Sequence, residues 1–255
     1  MAADAPVRAT LVLDRPLSAP GDTATLGVSF DIEPGWNLYW VNPGESGAPP
    51  KVSFTLPPGV IAGEIQWPRP ERKVLPGDIL DYIYTRRVTL IVPLKAGPNY
   101  DAALRGALEA DLWWLMCDKE KCVPGEAKAT LGLTSASPSP DAAERLGEAS
   151  ARLPVVAAPG VLSLSWEGST LVIRSAGAES MTFFPKPETE DNPTPPKILT
   201  EGAARGDTLR LSFPAPKLGP STRIVGNLEV HGASKLTGYF DVAAPPPPMS
   251  SSAVR

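Results

Sequence analysis

A chain of 255 residues with 42% hydrophobic and 20% charged side chains has a globular composition and is long enough for one large domain or two ordinary ones. Its net charge of −4 argues against the basic stripe of a nucleic-acid binder, and no run approaches the ~18–20 apolar residues that carry a helix across a bilayer. One histidine and two cysteines are too few for a four-ligand structural zinc site and leave little room for Ser-His-Asp chemistry. The 31 prolines stand well above the usual ~5% of residues. Proline is excluded from helix interiors and central strands, so the composition favours short strands joined by fixed turns. The start Met1-Ala2-Ala3-Asp4-Ala5-Pro6 carries no leader and reads as an initiator methionine set before a mature N-terminus, in a chain trimmed at both ends.

In chain order, Val7 to Leu13 alternates apolar and polar residues, and Ala24 to Ile32 does so again after the turn signal Pro20-Gly21-Asp22. Val52-Phe54-Leu56, Arg87 to Leu94, Leu104 to Met116 and Val123 to Leu133 complete a first strand series. Such runs between Pro/Gly/Asp turns predict an antiparallel sandwich. Ser135 to Pro140 changes composition and reads as a linker. It runs into a helix over Asp141 to Leu153, with Ser139 as cap, Pro140 in the first turn and Pro154 as stop. A second strand series follows: Leu162 to Trp166, Thr170 to Ile173, Glu179 to Phe184, Thr208 to Phe213, Arg223 to Val230 and Lys235 to Val242. Pro185 to Lys197 is too rich in proline and charge for regular structure, and His231 reads as an ordinary strand residue. The expected architecture is therefore all-β, with two immunoglobulin-like sandwiches. The first spans 1–135, a linker with one short helix spans 136–158, and a smaller sandwich spans 159–244. A disordered Pro/Ser tail, 245–255, ends the chain.

The cysteines sit in Leu112-Trp113-Trp114-Leu115-Met116-Cys117-Asp118-Lys119-Glu120-Lys121-Cys122-Val123-Pro124. An apolar strand arrives at Cys117, four charged residues turn, and a strand leaves after Cys122. A hairpin of this length sets the two Cα atoms ~4.5–5.5 Å apart, inside the roughly 4.4–6.8 Å disulfide window. A bridge here could staple the hairpin, worth about 2 kcal/mol by loop entropy. It could equally be redox-active, since a disulfide at a charged, exposed turn is open to an attacking thiolate. The spacing alone leaves both readings open.

Three segments taken together resemble a known family: Pro34-Gly35-Trp36-Asn37-Leu38-Tyr39-Trp40-Val41-Asn42-Pro43-Gly44-Glu45-Ser46-Gly47, then Gly63-Glu64-Ile65-Gln66-Trp67-Pro68-Arg69-Pro70-Glu71-Arg72, then the Cys-x4-Cys-Val-Pro hairpin. In this order they are similar to the N-terminal periplasmic region of the DsbD/ScsB family of membrane thiol:disulfide interchange proteins. The ScsB branch, named for suppression of copper sensitivity, is the nearer one because it carries a second sandwich. The resemblance covers about 1–135 by motif and 160–243 by layout. It implies a periplasmic station of an electron relay, the soluble portion of an inner-membrane protein. That station would take electrons from a thioredoxin-like domain linked to a transmembrane domain of the same full-length protein. It would reduce thioredoxin-fold partner proteins, as a monomer and with no cofactor beyond its cysteines. It also implies that Cys122 forms the mixed disulfide with partners, that Cys117 resolves it, and that a cap loop shields the pair, here matched to Leu80-Asp81-Tyr82-Ile83-Tyr84.

Lys119 and Lys121 could stabilise a thiolate, but Asp118 and Glu120 oppose them and the local charge sums to zero. Tyr39 and Trp40, in an aromatic cluster with Trp36, either pack in the core or wall the cysteine site and bind the partner. Asp81, and less so Glu45, are candidate proton acceptors. Trp113 and Trp114 are adjacent, so one should be core and the other face outward. Trp67 is expected in the core. Two rival functions remain. One is a periplasmic sandwich that binds protein or polysaccharide and carries an inert disulfide. The other is a copper site of Cys117, Cys122 and Met116, whose soft sulfur ligands suit Cu(I).

Overall fold

Strand follows strand through the first part of the chain: β1 (Val7–Leu13), β2 (Thr23–Ile32), β3 (Leu38–Gly44), β4 (Lys51–Thr55), β5 (Val60–Ala62), β6 (Glu71–Leu75), β7 (Ile79–Tyr84), β8 (Arg87–Ala96), β9 (Ala107–Cys117) and β10 (Cys122–Gly132). The computed structural model describes residues 5–104, 106–134, 139–232 and 235–247, without the side chains of 235–237. The chain divides into two units, Met1–Leu153 and Pro154–Arg255.

In the first unit the antiparallel orders are β1-β2-β8-β5, β10-β9-β4 and β3-β7-β6. Alternation places Leu26, Val28 and Phe30 of β2 and Leu108, Ala110, Leu112 and Trp114 of β9 in the core. Phe30 and Trp114 meet edge to face across the sandwich, ring centroids 5.5 Å apart. Trp113, on the opposite face of β9, lies half-buried with the Lys51 ammonium 5.1 Å over its ring. The neighbouring tryptophans thus divide between core and surface, as adjacent strand residues must. Trp67 is half-buried rather than core.

Helix α1 (Pro140–Ser150) starts as its sequence dictates. Ser139 accepts a hydrogen bond from the Ala142 N–H, and Pro140 occupies the first turn. The sequence placed this helix in a linker; the structure places it in the first unit. Leu146 and Ala149 pack on Ile91, with Val12 and Leu153 beside them. Gly27 lies beneath the helix, where a Cβ would come within 2.9 Å of Leu146 and 2.7 Å of Val12 and Thr89. Arg145, with only 11% of its side chain exposed, reaches Asp31 at 2.9 Å and the Ser29 hydroxyl at 2.8 Å. Of the predicted linker and tail, residues 135–138 and 248–255 lie outside the described residues.

This docking has an acid dependence. Burial acts to raise the Asp31 pKa, but the hydrogen bonds and charges of Arg145 and then Arg87 outweigh it and hold the carboxyl below its usual 3.8. A depressed folded-state pKa contributes stability above the unfolded value, and that contribution is lost as pH falls through the folded value. Asp31 is 40% exposed, so solvent screening keeps its contribution to about 1 kcal/mol. Asp31→Asn should therefore lower the urea midpoint at pH 7, and the difference from wild type should shrink as pH falls below the ordinary carboxylate range and vanish once Asp31 is protonated in the folded state.

In the second unit, β11 (Ser163–Glu167), β12 (Thr170–Arg174) and β15 (Thr208–Ser212) form one sheet. The other has the order β14 (Ala203–Arg205), β13 (Ser180–Pro185), β16 (Ile224–Gly232), β17 (Lys235–Ala244). Leu171, Ile173, Phe183, Leu209, Leu211 and Leu228 fill the core between them. Pro185 to Lys197 is irregular after β13, as its prolines require, and Asn192 pegs it. The Asn192 side chain donates to the Pro187 carbonyl at 3.2 Å and accepts from the Val225 N–H at 2.8 Å. The chain is all-β in class, as the alternation predicts.

Candidate redox site

The hairpin between β9 and β10 closes on a two-residue loop, Lys119-Glu120. The Asp118 N–H donates to the Lys121 carbonyl at 3.0 Å. The Asp118 carboxylate accepts from the N–H groups of Glu120 and Lys121, both at 2.8 Å. These backbone donors, Glu120 first, hold the Asp118 carboxyl below the ordinary carboxylate range. Because Asp118 and Lys121 form the bonded pair, Cys117 and Cys122 are the adjacent non-bonded pair, where opposed Cα atoms come closest. They lie 4.1 Å apart, slightly under the predicted separation, and are joined as a disulfide. The backbone of Cys117 is spent on the other side. Its N–H donates to the Asn37 carbonyl at 3.1 Å, and its carbonyl accepts from the Asn37 N–H at 2.9 Å.

The two sulfurs differ in access. Cys117 is 4% exposed, packed among Tyr39, Ile83 and Leu115, whereas Cys122 is exposed. They share a hollow of about 260 Å³ lined also by Asn37, Ser46, Lys73, Leu75 and Asp81. Lys73 and Leu75 come from β6, at the end of the β6–β7 hairpin. Lys73 Nζ donates to Asn37 Oδ1 at 3.5 Å, a long contact. Asp81, 1% exposed, accepts from the Ser46 hydroxyl, from the Ser46 N–H at 3.0 Å and from the Glu45 N–H at 3.2 Å. Gly44 allows this loop to fold onto β7. Its φ is +89°, and a Cβ there would meet the Leu80 carbonyl oxygen at 2.1 Å. On the rim, the Lys121 ammonium sits 6.0 Å over the Trp36 ring.

A family model described as the N-terminal domain of thiol:disulfide interchange protein DsbD matches residues 9–134. Residues 9–134 belong to the DsbD N-terminal family. Among solved structures, the N-terminal periplasmic domain of ScsB from Proteus mirabilis superimposes with a TM-score of 0.61 at 19% identity, covering 94% of this chain and 93% of that one. That likeness is one of fold. The major pilin subunit of Bacillus cereus matches with a TM-score of only 0.30 at 8% identity, over 97% of this chain and 67% of that one, and carries no argument here. No curated protein sequence matches the chain. Membership of the DsbD N-terminal family, together with the Cys117–Cys122 disulfide, supports a thiol–disulfide exchange domain.

The region matched from sequence to the family's cap loop is not a loop. Leu80 to Tyr84 form strand β7, and strand alternation divides them. Asp81 and Ile83 face the cysteines with Tyr39. Tyr82 and Tyr84 turn to the other face with Trp40, where all three are buried. Trp40 and Tyr82 meet edge to face at 6.0 Å, and the Tyr84 hydroxyl donates to the Pro68 carbonyl at 2.6 Å. Burial pushes the Tyr82 phenol well up from its ordinary pKa. Of the predicted wall and cap residues, then, Tyr39, Asp81 and Ile83 are brought to the pair, and Trp40, Tyr82 and Tyr84 are core. Glu45 is exposed, and its carboxylate accepts from the Leu80 N–H at 3.3 Å. Met116 precedes Cys117 in one strand and so faces away from it, which parts the sulfurs of the copper reading. Sequence reasoning missed Asn37, Ser46, Lys73 and Leu75. The only signal for the first two was that they sit within the motif carrying the family resemblance.

Proposed function

We propose that the first unit is a periplasmic thiol:disulfide oxidoreductase station, which takes electrons from a membrane-linked thioredoxin-like domain and reduces thioredoxin-fold partner proteins. The observation that carries this reading is the unequal access of the two sulfurs: Cys122 is exposed, and Cys117 lies beneath Tyr39 and Ile83. An exchange reaction needs one sulfur that a partner can reach and a second held close to resolve the intermediate. A structural staple needs neither.

In the forward step the Cys122 thiolate attacks one sulfur of a partner disulfide, forming a mixed disulfide and expelling the partner's other sulfur as thiolate. The Cys117 thiolate then attacks Cys122 Sγ. The partner leaves with both thiols reduced, and the Cys117–Cys122 bond re-forms. Two electrons have passed from this pair to the partner. Recharging runs in reverse from an upstream dithiol that attacks Cys122 Sγ. In this reading the upstream donor is supplied by other domains of the full-length protein.

The test is a redox titration in glutathione buffers with free thiols counted by alkylation. The pair should equilibrate within roughly −180 to −270 mV, the span of exchange proteins. A bridge that stays closed below about −300 mV is a staple, and the unit is then a binding module with an inert disulfide.

A further inference from the structure

The resolving step has an unmet requirement. Cys117 must act as a thiolate, yet it sits among Tyr39, Ile83 and Leu115, surroundings that disfavour a charged sulfur. Its proton therefore needs an acceptor inside the hollow. The ammonium groups at the hollow, Lys73 beside Asn37 Oδ1 and Lys121 over the Trp36 ring, carry no lone pair to accept it. Asp118 is occupied by two backbone donors of its own turn, and Lys119 and Glu120 stand exposed at the turn's tip. Glu45 is exposed and bonded to the Leu80 N–H. The one buried carboxylate lining the hollow is Asp81, and among the described residues it forms no ion pair. Its Oδ2 takes the hydrogen of Ser46 Oγ, which leaves the lone pairs of that hydroxyl oxygen, itself part of the lining, free to accept.

Resting on the exchange reading above, we propose that Ser46 and Asp81 form a proton relay for Cys117. The Cys117 thiol gives its proton to Ser46 Oγ as the Ser46 hydrogen passes to Asp81, and the thiolate attacks Cys122 Sγ of the mixed disulfide. After resolution Asp81 passes its proton to solvent, and in the recharging direction it takes one back from solvent and delivers it through Ser46 to the departing Cys117 sulfur. One proton moves each way, and no reactant besides solvent is needed. Asp81 acts through Ser46 and is a positioning residue. The hydrogen bonds from the Glu45 and Ser46 N–H groups hold the loop on which the relay depends.

The experiment mixes reduced protein with an aryl disulfide dye, dithiobisnitrobenzoate, and follows release of the coloured thiolate. The first phase is attack by the exposed Cys122, and the second is resolution by Cys117, whose leaving group needs no acid. Asp81→Asn keeps an acceptor oxygen for the two loop N–H groups but cannot take a proton. It should lower the ratio of second-phase to first-phase rate about 100-fold at pH 6, the usual scale of general-base assistance. The second phase should then climb about tenfold per pH unit, as an unassisted thiol does. Ser46→Ala, at an exposed position, should change the ratio in the same direction. An unchanged ratio and pH profile in Asp81→Asn would overturn the relay. Equal slowing of both phases would also overturn it, because that outcome marks a structural role only. A wild-type protein that shows no second phase would instead fail the exchange reading itself.

Discussion

Cys117→Ala should accumulate mixed disulfides between Cys122 and thioredoxin-fold partners, and Cys122→Ala should accumulate none. The reason is access. Cys122 stands exposed at the start of β10, so a partner sulfur reaches it without disturbing the fold. Cys117 is held on both sides, by the reciprocal backbone bonds to Asn37 and by the packing of Tyr39, Ile83 and Leu115. Removing Cys117 leaves the first attack intact and deletes the resolving thiol, so the intermediate persists. Removing Cys122 leaves a thiol that no partner can approach. The hairpin itself should survive either change, since the Asp118 turn is closed by its own hydrogen bonds and the bridge adds only about 2 kcal/mol of loop restriction. Trapping is read on non-reducing gels of periplasmic extracts with thioredoxin-fold bait proteins. The difference between the two variants should be all but complete; trapping by Cys122→Ala instead would reverse the assignment of roles, and equal trapping by both would abolish it.

What could be read from the sequence follows the range of the forces involved. The Cys117–Cys122 contact was legible because it is local, fixed by a short turn and the antiparallel register around it. Strands β1 and β2 were legible because large apolar side chains alternate with small or polar ones, which writes a period of two into the sequence even in β2, where helix α1 covers Gly27 and Ser29 on the second face. Strand β7 was not. Leu80, Asp81, Tyr82, Ile83 and Tyr84 are all buried, so no polar face marks the period. Strand β3 was obscured by Asn42-Pro43-Gly44, where its pairing with β7 shifts register between Tyr39 and Gly44. The cap of α1 could be read from Ser139 and Pro140, but its docking could not, because that depends on Asp31 and Gly27, more than a hundred residues earlier. The walls of the site share that difficulty. Asn37, Ser46, Lys73 and Asp81 meet only after β3, β6 and β7 have paired. The Trp36, Tyr39 and Trp40 cluster shows the same limit at closest quarters. Three aromatics within five residues go to three places: the rim, the buried cysteine and the core.

Gly44→Ala should damage this assembly more than its single added methyl group suggests. The substitution puts a side chain at φ +89° and drives its Cβ to within 2.1 Å of the Leu80 carbonyl oxygen, a backbone atom that cannot swing aside. The left-handed conformation costs about 1–2 kcal/mol for an ordinary residue, and the overpacking about 1–3 more. The loop must therefore lift from β7, taking with it the Glu45 and Ser46 N–H groups and the Ser46 hydroxyl. Asp81 would then be a buried charge stripped of its donors, which is among the costliest single defects a fold can carry. The urea midpoint should fall by the equivalent of about 2–5 kcal/mol. A double-mutant cycle separates the causes. If the stranded carboxylate dominates, adding Asp81→Asn to Gly44→Ala should recover part of the loss, although Asp81→Asn alone is destabilising, and the coupling should exceed about 1 kcal/mol. Strictly additive effects would mean that the loop stays seated and that the strain is confined to residue 44. The same cycle bears on chemistry, because the contacts that keep Asp81 stable as a buried carboxylate also hold Ser46 in the lining of the hollow that the cysteine pair shares.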